Sequence, residues 1–198
     1  MTVHTALAPI AALTLLTAFG LPLWRSWRRY GVVALVRPHD PLQRFLHTAF
    51  GLTLLGYLVW TVGLALLGPG VLDVHPAPTP ALALGLAFAA AGLALVVVAQ
   101  AQMGASWRIG LADTETALVT GGLFRWSRNP IYLGMLLLTL GVALAAPSGW
   151  SILGFALAYV LVGFQARAEE VHLRQQHGDA FLAWAGQVGR FVPGIGRL

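Results

Sequence analysis

Residues 81–101 read ALALGLAFAAAGLALVVVAQA and contain no charged side chain. An apolar stretch of about 20 residues is long enough to cross a hydrocarbon core of about 30 Å as a helix. Gly85, Ala89 and Gly92 fall on one face of such a helix, and small residues on one face allow two membrane helices to approach closely. The stretch therefore predicts a transmembrane helix that packs tightly against a neighbour.

Further apolar segments lie on both sides of this helix, and the whole composition agrees with a membrane protein. Hydrophobic residues make up 58% of the 198 residues and charged residues only 10%, whereas a soluble domain carries about 25% charged residues. The last two segments are separated by Pro147-Ser148-Gly149, which predicts a helical hairpin. We therefore expect an all-α, polytopic protein in which residues 1–198 form one membrane domain, with a cytoplasmic C-terminal helical segment after five transmembrane helices, at about 5–24, 46–68, 81–101, 131–147 and 150–165.

The arginines predict an orientation for these helices. All twelve basic residues are arginines, and they fall between the first and second segments, between the third and fourth, and after the fifth. The other two connections, 69–80 and 147–149, contain none. By the positive-inside rule the N-terminus lies outside and the C-terminus in the cytoplasm, and we expect the inner (plasma) membrane of a bacterium. Topology and anionic lipid headgroups then explain the net charge of +5 better than nucleic acid does.

Polar residues are concentrated in a long connection, residues 102–130. It contains glycines that allow close backbone approach to a ligand, arginines that bind anions, and aromatic residues that cover cations. An interfacial loop anchored by Trp107 and Trp126 is the alternative. Asn129-Pro130 predicts the start of the fourth helix, because asparagine is a preferred N-cap and proline a preferred first residue. The free N–H groups of that helix start suit a carboxylate or phosphate, or are simply capped.

A pair of glutamates, Glu169 and Glu170, follows the last apolar segment. On a helix these side chains point about 100° apart, so one can face the bundle while the other meets solvent or pairs with Arg174. A solvated charged face is the alternative. His172 and His177 do not share a helical face well, and the chain has no cysteine. We therefore predict no metal site.

Taken in order, several motifs between about residues 100 and 194 resemble the isoprenylcysteine carboxyl methyltransferase and phospholipid methyltransferase families of integral-membrane enzymes. Each motif alone is unspecific, whereas their order and spacing together are specific. The motifs are Gly104-x-x-Trp107, Leu118-Val119-Thr120-x-Gly122-x-Phe124, Arg128-Asn129-Pro130-x-Tyr132-x-Gly134, Glu169-Glu170-x-x-Leu173 and Gly178-x-x-Phe181-x-x-Trp184-x-x-x-Val188.

The resemblance implies an S-adenosylmethionine-dependent methyltransferase that acts on a lipophilic acceptor at the cytoplasmic membrane face. Residues 1–101 would then hold three N-terminal helices, and residues 102–198 the cofactor-binding core. For catalysis, Glu170 and Tyr132 are candidates for accepting a proton, and Arg167 for contacting an anionic acceptor. The cofactor contacts implied by the resemblance are Thr116, Ala117, Leu118, Val119, Phe124, Asn129, Pro130, Ile131, Tyr132 and Glu169.

The acceptor group stays open between a carboxyl, an amine and a thiol. Gln165 stands where eukaryotic isoprenylcysteine enzymes have an arginine for the substrate carboxylate, and Asn129 stands where a histidine is usual. Two other functions compete with methyl transfer. One is an NADPH-dependent membrane reductase with a core similar to that of sterol reductases, and the other is a membrane scaffold without catalytic activity.

Overall fold

The computed structural model describes residues 11–31, 33–38, 40–111 and 116–198. These residues form five α-helices and, apart from isolated bridges at Leu35–Ile109 and Ser127–Gly189, no β-structure. The predicted all-α class is therefore confirmed. A π-helical turn precedes the first helix, and short 3-10 turns lie at Gly104–Ser106 and Gly122–Arg125. The helices are α1 Leu21–Tyr30, α2 Pro41–Leu67, α3 Thr79–Met103, α4 Pro130–Ala145 and α5 Gly149–Ala185.

Within the described residues, three helices are long and apolar enough to cross a membrane, namely α2, α3 and α5, with mean hydropathies of 1.9, 2.6 and 1.5. Large apolar side chains on them are exposed, such as Val59 at 64% and Leu66 at 78%, and such surfaces suit contact with lipid. The chain is thus an integral membrane protein. Helix α4 is apolar but has only 16 residues, and part of the first predicted segment lies outside the described residues, so five crossings stay a prediction.

Helices α3 and α4 pack backbone against backbone in an antiparallel pair. A Cβ atom added at Gly92 would lie 2.5 Å from the carbonyl oxygen of Gly134, and one added at Gly141 would lie 2.5 Å from the backbone nitrogen of Ala89. Contacts this short leave no room for any side chain at these glycines. The small-residue face predicted for residues 81–101 is therefore confirmed, and its partner is a second such face on α4.

The turn between α4 and α5 is fixed by a capping box. The backbone nitrogen of Ser151 donates to the Ser148 hydroxyl at 3.1 Å, and the backbone nitrogen of Ser148 donates to the Ser151 hydroxyl at 3.0 Å. The two bonds satisfy donors that a helix start otherwise leaves unpaired. His75 of the 69–80 connection also donates its backbone N–H to the carbonyl of Pro147 at 2.9 Å. This end of the molecule is thus closed by hydrogen bonds within the chain.

Helix α5 extends well beyond the predicted segment 150–165. It runs for 37 residues from Gly149 to Ala185 and contains one break, at Gly178, whose φ is 50°. Glycine reaches a positive φ without the Cβ clash that other residues meet. The C-terminal segment is helical as expected, but it continues the last apolar helix. Glu169 and Glu170 therefore sit inside a long helix, where the backbone holds them rigidly.

Candidate functional site

Glu170 lies between two arginines at the end of the molecule where α4 begins. Only 7% of Glu170 and 5% of Arg128 are exposed. Nη2 of Arg128 lies 2.6 Å from Oε1 of Glu170, and Nη2 of Arg190 lies 2.7 Å from Oε2. The hydrogen bonds to Glu170 raise the pKa of Arg190 above its usual range, so Arg190 stays positively charged. The predicted solvent exposure or pairing with Arg174 is wrong for this glutamate, because tertiary partners occupy both of its oxygens.

Arg128 also fastens the C-terminal tail, residues 186–198, to the rest of the protein. Its guanidinium donates to the carbonyls of Ala185 at 3.0 Å and Gly196 at 2.8 Å, and to that of Val188. The backbone N–H of Arg128 donates to the Gly189 carbonyl at 2.9 Å. A buried arginine is tolerable only when its donors are used in this way. The tail is therefore a folded part of the site.

Tyr132, Gln165 and Glu169 form a second polar cluster between α4 and α5. The Tyr132 hydroxyl donates to Oε1 of Glu169, and Nε2 of Gln165 donates to the same oxygen at 3.2 Å. Gln165 is 4% exposed, and its Oε1 has no hydrogen-bond partner in the described part of the chain. An unpaired buried acceptor is costly. The cluster is therefore suited to a ligand that donates hydrogen bonds.

The start of α4 faces this region without a side-chain cap. The helix begins at Pro130 with Asn129 as its N-cap residue, as predicted. However, the Asn129 side chain does not cap the helix. Its Nδ2 donates to the carbonyl of Arg190 at 3.2 Å, which ties the side chain to the tail. The partner of the Asn129 side chain is thus the tail and not the first turn of α4. The N–H groups of the first turn are left without a side-chain acceptor and can bind an anionic group.

Phe124 is held in the 3-10 turn Gly122–Arg125 and is 5% exposed. Its carbonyl accepts a hydrogen bond from the Trp184 indole nitrogen at 3.2 Å. At the other side of the turn, the backbone nitrogen of Leu123 donates to Oε1 of Gln102 at 2.8 Å. The end of the long connection is therefore attached to both α3 and α5. This ordered packing exceeds what an anchored interfacial loop requires.

The other predicted site residues are less closely associated with these clusters. Residues 116–119 lie in an irregular segment and are exposed or half-buried, and Ile131 is half-buried in the first turn of α4. Arg167 is exposed and donates to the carbonyl of Gly163 at 2.9 Å. Because it precedes Glu169 by two helical positions, it points about 200° away around the axis. The structure does not bring Arg167 to Tyr132 and Glu169.

The partners of Glu170 are the part of the site that the sequence did not reveal. Arg128 was visible only as one residue of the Arg-Asn-Pro motif, and Arg190 only as a basic residue of the tail. A carboxylate at the end of an apolar helix requires a buried counter-charge. Local spacing favoured Arg174 as the partner, but Arg174 is exposed and Glu170 pairs with Arg128 and Arg190 instead.

Comparison with known proteins places these features in a family. Residues 80–180 match the family model described as phospholipid methyltransferase, which is the resemblance that the motifs predicted. No curated protein matches the sequence. Among solved structures, the fold is similar to the eukaryotic intramembrane Ras methyltransferase, an isoprenylcysteine carboxyl methyltransferase, with a TM-score of 0.52 and 18% identity.

That structural match covers 81% of this chain and 55% of the Ras methyltransferase chain. This chain therefore spans about half the length of that enzyme, and an identity this low shows the fold alone. The family model is more informative, because the matched residues 80–180 of this chain include nearly all of α3, all of α4 and most of α5 with both glutamates. On that match the chain belongs to the phospholipid methyltransferase family of membrane methyltransferases.

Proposed function

We propose that this protein transfers a methyl group from S-adenosylmethionine to a lipophilic acceptor at the cytoplasmic face of the membrane. The observation that carries the proposal is the Tyr132–Gln165–Glu169 cluster next to the uncapped start of α4. Its buried free acceptor and the helix N-terminus without a side-chain cap suit a ligand with both a cationic donor and a carboxylate. The family supports methyl transfer as the reaction.

The residues of the site fit such a cofactor from several sides. The N–H groups of the first turn of α4 would receive its carboxylate, with Asn129, Pro130 and Ile131 forming that turn. Oε1 of Gln165 and the carboxylate of Glu169 would accept hydrogen bonds from its amine or ribose hydroxyls. The remaining contacts carried from the resemblance are the aromatic rings of Phe124 and Tyr132, which suit a sulfonium, and the segment formed by Thr116, Ala117, Leu118 and Val119.

Bound S-adenosylmethionine would supply an already activated methyl group on its sulfonium. The protein's contribution is then mainly to align the acceptor with that group and to exclude water. The tail 186–198, fastened by Arg128, would close the site toward the cytoplasm. A lipophilic acceptor would enter sideways from the bilayer.

A carboxylate acceptor needs no base, whereas an amine acceptor must lose a proton. Among the candidate residues, Tyr132 is hydrogen-bonded to Glu169, and this pair can pass a proton from the acceptor to the carboxylate. Glu170 already binds two arginines. We therefore propose that Glu170 is a positioning residue, which holds the tail and the start of α4 in place.

The proposal is tested by calorimetric titration of the detergent-purified protein. S-adenosylmethionine and S-adenosylhomocysteine are expected to bind, and reduced nicotinamide dinucleotide phosphate is not. If the nicotinamide compound bound and the adenosyl compounds did not, the proposed methyltransferase activity would be wrong and a reductase activity would be favoured. The acceptor is then sought by incubating membrane lipid extracts with cofactor that carries a labelled methyl group.

A further inference from the structure

A groove lies between α5, the C-terminal tail and Leu136 of α4. Its volume is about 390 Å³, and its walls include Tyr159, Val160 and Phe164 of α5 and Val192 and Ile195 of the tail. On the α5 side these side chains are half exposed or more, at 63%, 50% and 54%. The groove therefore has largely apolar walls, which suit contact with a hydrocarbon chain.

Two arginines border this groove, and no acidic residue lines it in the described part of the chain. Arg167 forms no ion pair there, and its one hydrogen bond goes to the carbonyl of Gly163 at 2.9 Å. Arg190 uses Nε and Nη2 for Glu170, so its Nη1 atom is not engaged by that carboxylate. The groove thus combines apolar walls with the positive charge of Arg167, which no carboxylate in the described part of the chain neutralises.

The groove is separate from the cluster proposed to bind the cofactor. None of the cluster residues Tyr132, Gln165 and Glu169 lines the groove. Val160, Gly163 and Arg167 lie roughly on one face of α5, which is about 120–180° around the axis from Gln165 and Glu169. A molecule lying in the groove would contact α5 on the side away from Gln165 and Glu169, and would reach α4 only at Leu136, one turn beyond Tyr132. It would therefore not be aligned with the Tyr132–Glu169 pair.

We propose that this groove binds an anionic phospholipid, with its phosphodiester at Arg167 and an acyl chain along Tyr159 and Val160. Charge complementarity supports this occupant, because an arginine without a carboxylate partner bordering an apolar groove matches a phosphate attached to a hydrocarbon chain. The bound lipid is a structural ligand of α5 and the tail, distinct from the methyl acceptor.

The test uses the full-length protein, delipidated in detergent, and palmitoyl-oleoyl phosphatidylglycerol as the probe. Native mass spectrometry counts the bound lipids, with phosphatidylcholine of the same chains for comparison. One saturable phosphatidylglycerol site is expected, with weaker binding of phosphatidylcholine. Arg167→Gln should weaken phosphatidylglycerol binding about fivefold, as expected for removing one cation near a lipid headgroup.

Arg174→Gln is the matched control, because Arg174 is also exposed and lies about two turns further along the same face of α5 without lining the groove. It should leave the affinity unchanged. Val160→Trp provides a second, uncharged test, since it fills the groove and should also weaken binding. Both positions are well exposed, and thermal unfolding followed by circular dichroism verifies that each variant is folded.

Several results would overturn the proposal. Equal loss in Arg174→Gln would indicate diffuse surface electrostatics, and equal affinity for phosphatidylcholine would indicate lipid contact without selection. Competition by glycerol phosphate at the same concentration as the lipid would mean that the site binds the free anion. Unchanged affinity in both Arg167→Gln and Val160→Trp, or a dimer that Val160→Trp abolishes, would exclude a phospholipid as the occupant.

Discussion

Glu170 shows how one carboxylate organises the end of this protein where α4 begins. It neutralises Arg128, which is almost fully buried and donates to three carbonyls of the chain near and within the tail. It also binds Arg190, whose carbonyl in turn accepts from Asn129. The start of α4, the middle of α5 and the tail therefore meet at one side chain, and its removal should affect all three.

We accordingly expect Glu170→Ala to destabilise the protein by about 3 kcal/mol, because loss of one member of a buried ion pair leaves an uncompensated charge. Thermal unfolding in detergent measures the effect, and limited proteolysis should cut the tail faster. Arg174→Ala, which removes an exposed charge nearby on the same helix, is the control. An unchanged unfolding temperature in Glu170→Ala would show that the network contributes no stability.

Glu169 has a different role in our proposal, because its partners Tyr132 and Gln165 are neutral. Glu169→Ala should weaken binding of S-adenosylhomocysteine about tenfold, which corresponds to the loss of a charged hydrogen bond. The unfolding temperature should also fall, because the Tyr132 hydroxyl and the Gln165 amide lose their common acceptor. Calorimetric titration measures the affinity. The affinity of Glu169→Gln, which retains an acceptor, should lie between those of the wild type and Glu169→Ala. Wild-type affinity in Glu169→Ala would remove this residue from the cofactor site.

At the scale of the elements, the sequence predicted what local patterns determine. The start of α4 at Pro130 and the small-residue face of α3 follow from residue preferences and helical spacing. The partners of Glu170 could not be predicted in this way, because 42 and 20 residues separate it from Arg128 and Arg190. Helix α5 extends beyond the predicted segment 150–165, because a helix can contain polar residues whose side chains have buried hydrogen-bond partners.

The side chain of Asn129 illustrates the same limit. Its residue type correctly predicted the helix boundary. Its hydrogen-bond partner, however, is the carbonyl of Arg190 in the tail, whose position depends on the whole fold. Similarly, Gln165 was noticeable in the sequence only as a departure from a family pattern. Its unpaired oxygen became visible once α4 and α5 were placed together. Local chemistry predicted candidate residues, and tertiary contacts decided which of their atoms remain free.

The contact between α3 and α4 gives a prediction at this scale. Gly92→Leu should destabilise the protein by about 1–3 kcal/mol, because an added side chain forces two closely packed backbones apart. Gly51→Leu is the matched control, since no atom lies within 4 Å of the Cβ position at Gly51 in α2. Thermal unfolding in detergent compares the two. Equal unfolding temperatures would mean that the close packing is not required for stability.

For the whole molecule, the arrangement of polar groups supports a single functional face. The end of the bundle where α4 begins holds the Glu170–arginine group, the Tyr132–Gln165–Glu169 cluster and the tail. The Ser148–Ser151 turn lies at the other end. Lipid-facing α2, α3 and α5 separate these ends. This polarity matches the distribution of arginines in the sequence, so the orientation in the membrane decides which compartment the proposed cofactor site faces.

Cysteine labelling tests the proposed orientation directly, because the chain contains no cysteine of its own. Asp73→Cys places a thiol in the 69–80 connection, where Asp73 is exposed, and Arg197→Cys places one in the exposed tail. If the arginine-rich connections are cytoplasmic, a membrane-impermeant maleimide should label the first variant in intact cells and the second only after permeabilisation. The reverse pattern would put the site on the outer face, where an intracellular cofactor could not reach it, and would contradict both the orientation and the proposed reaction.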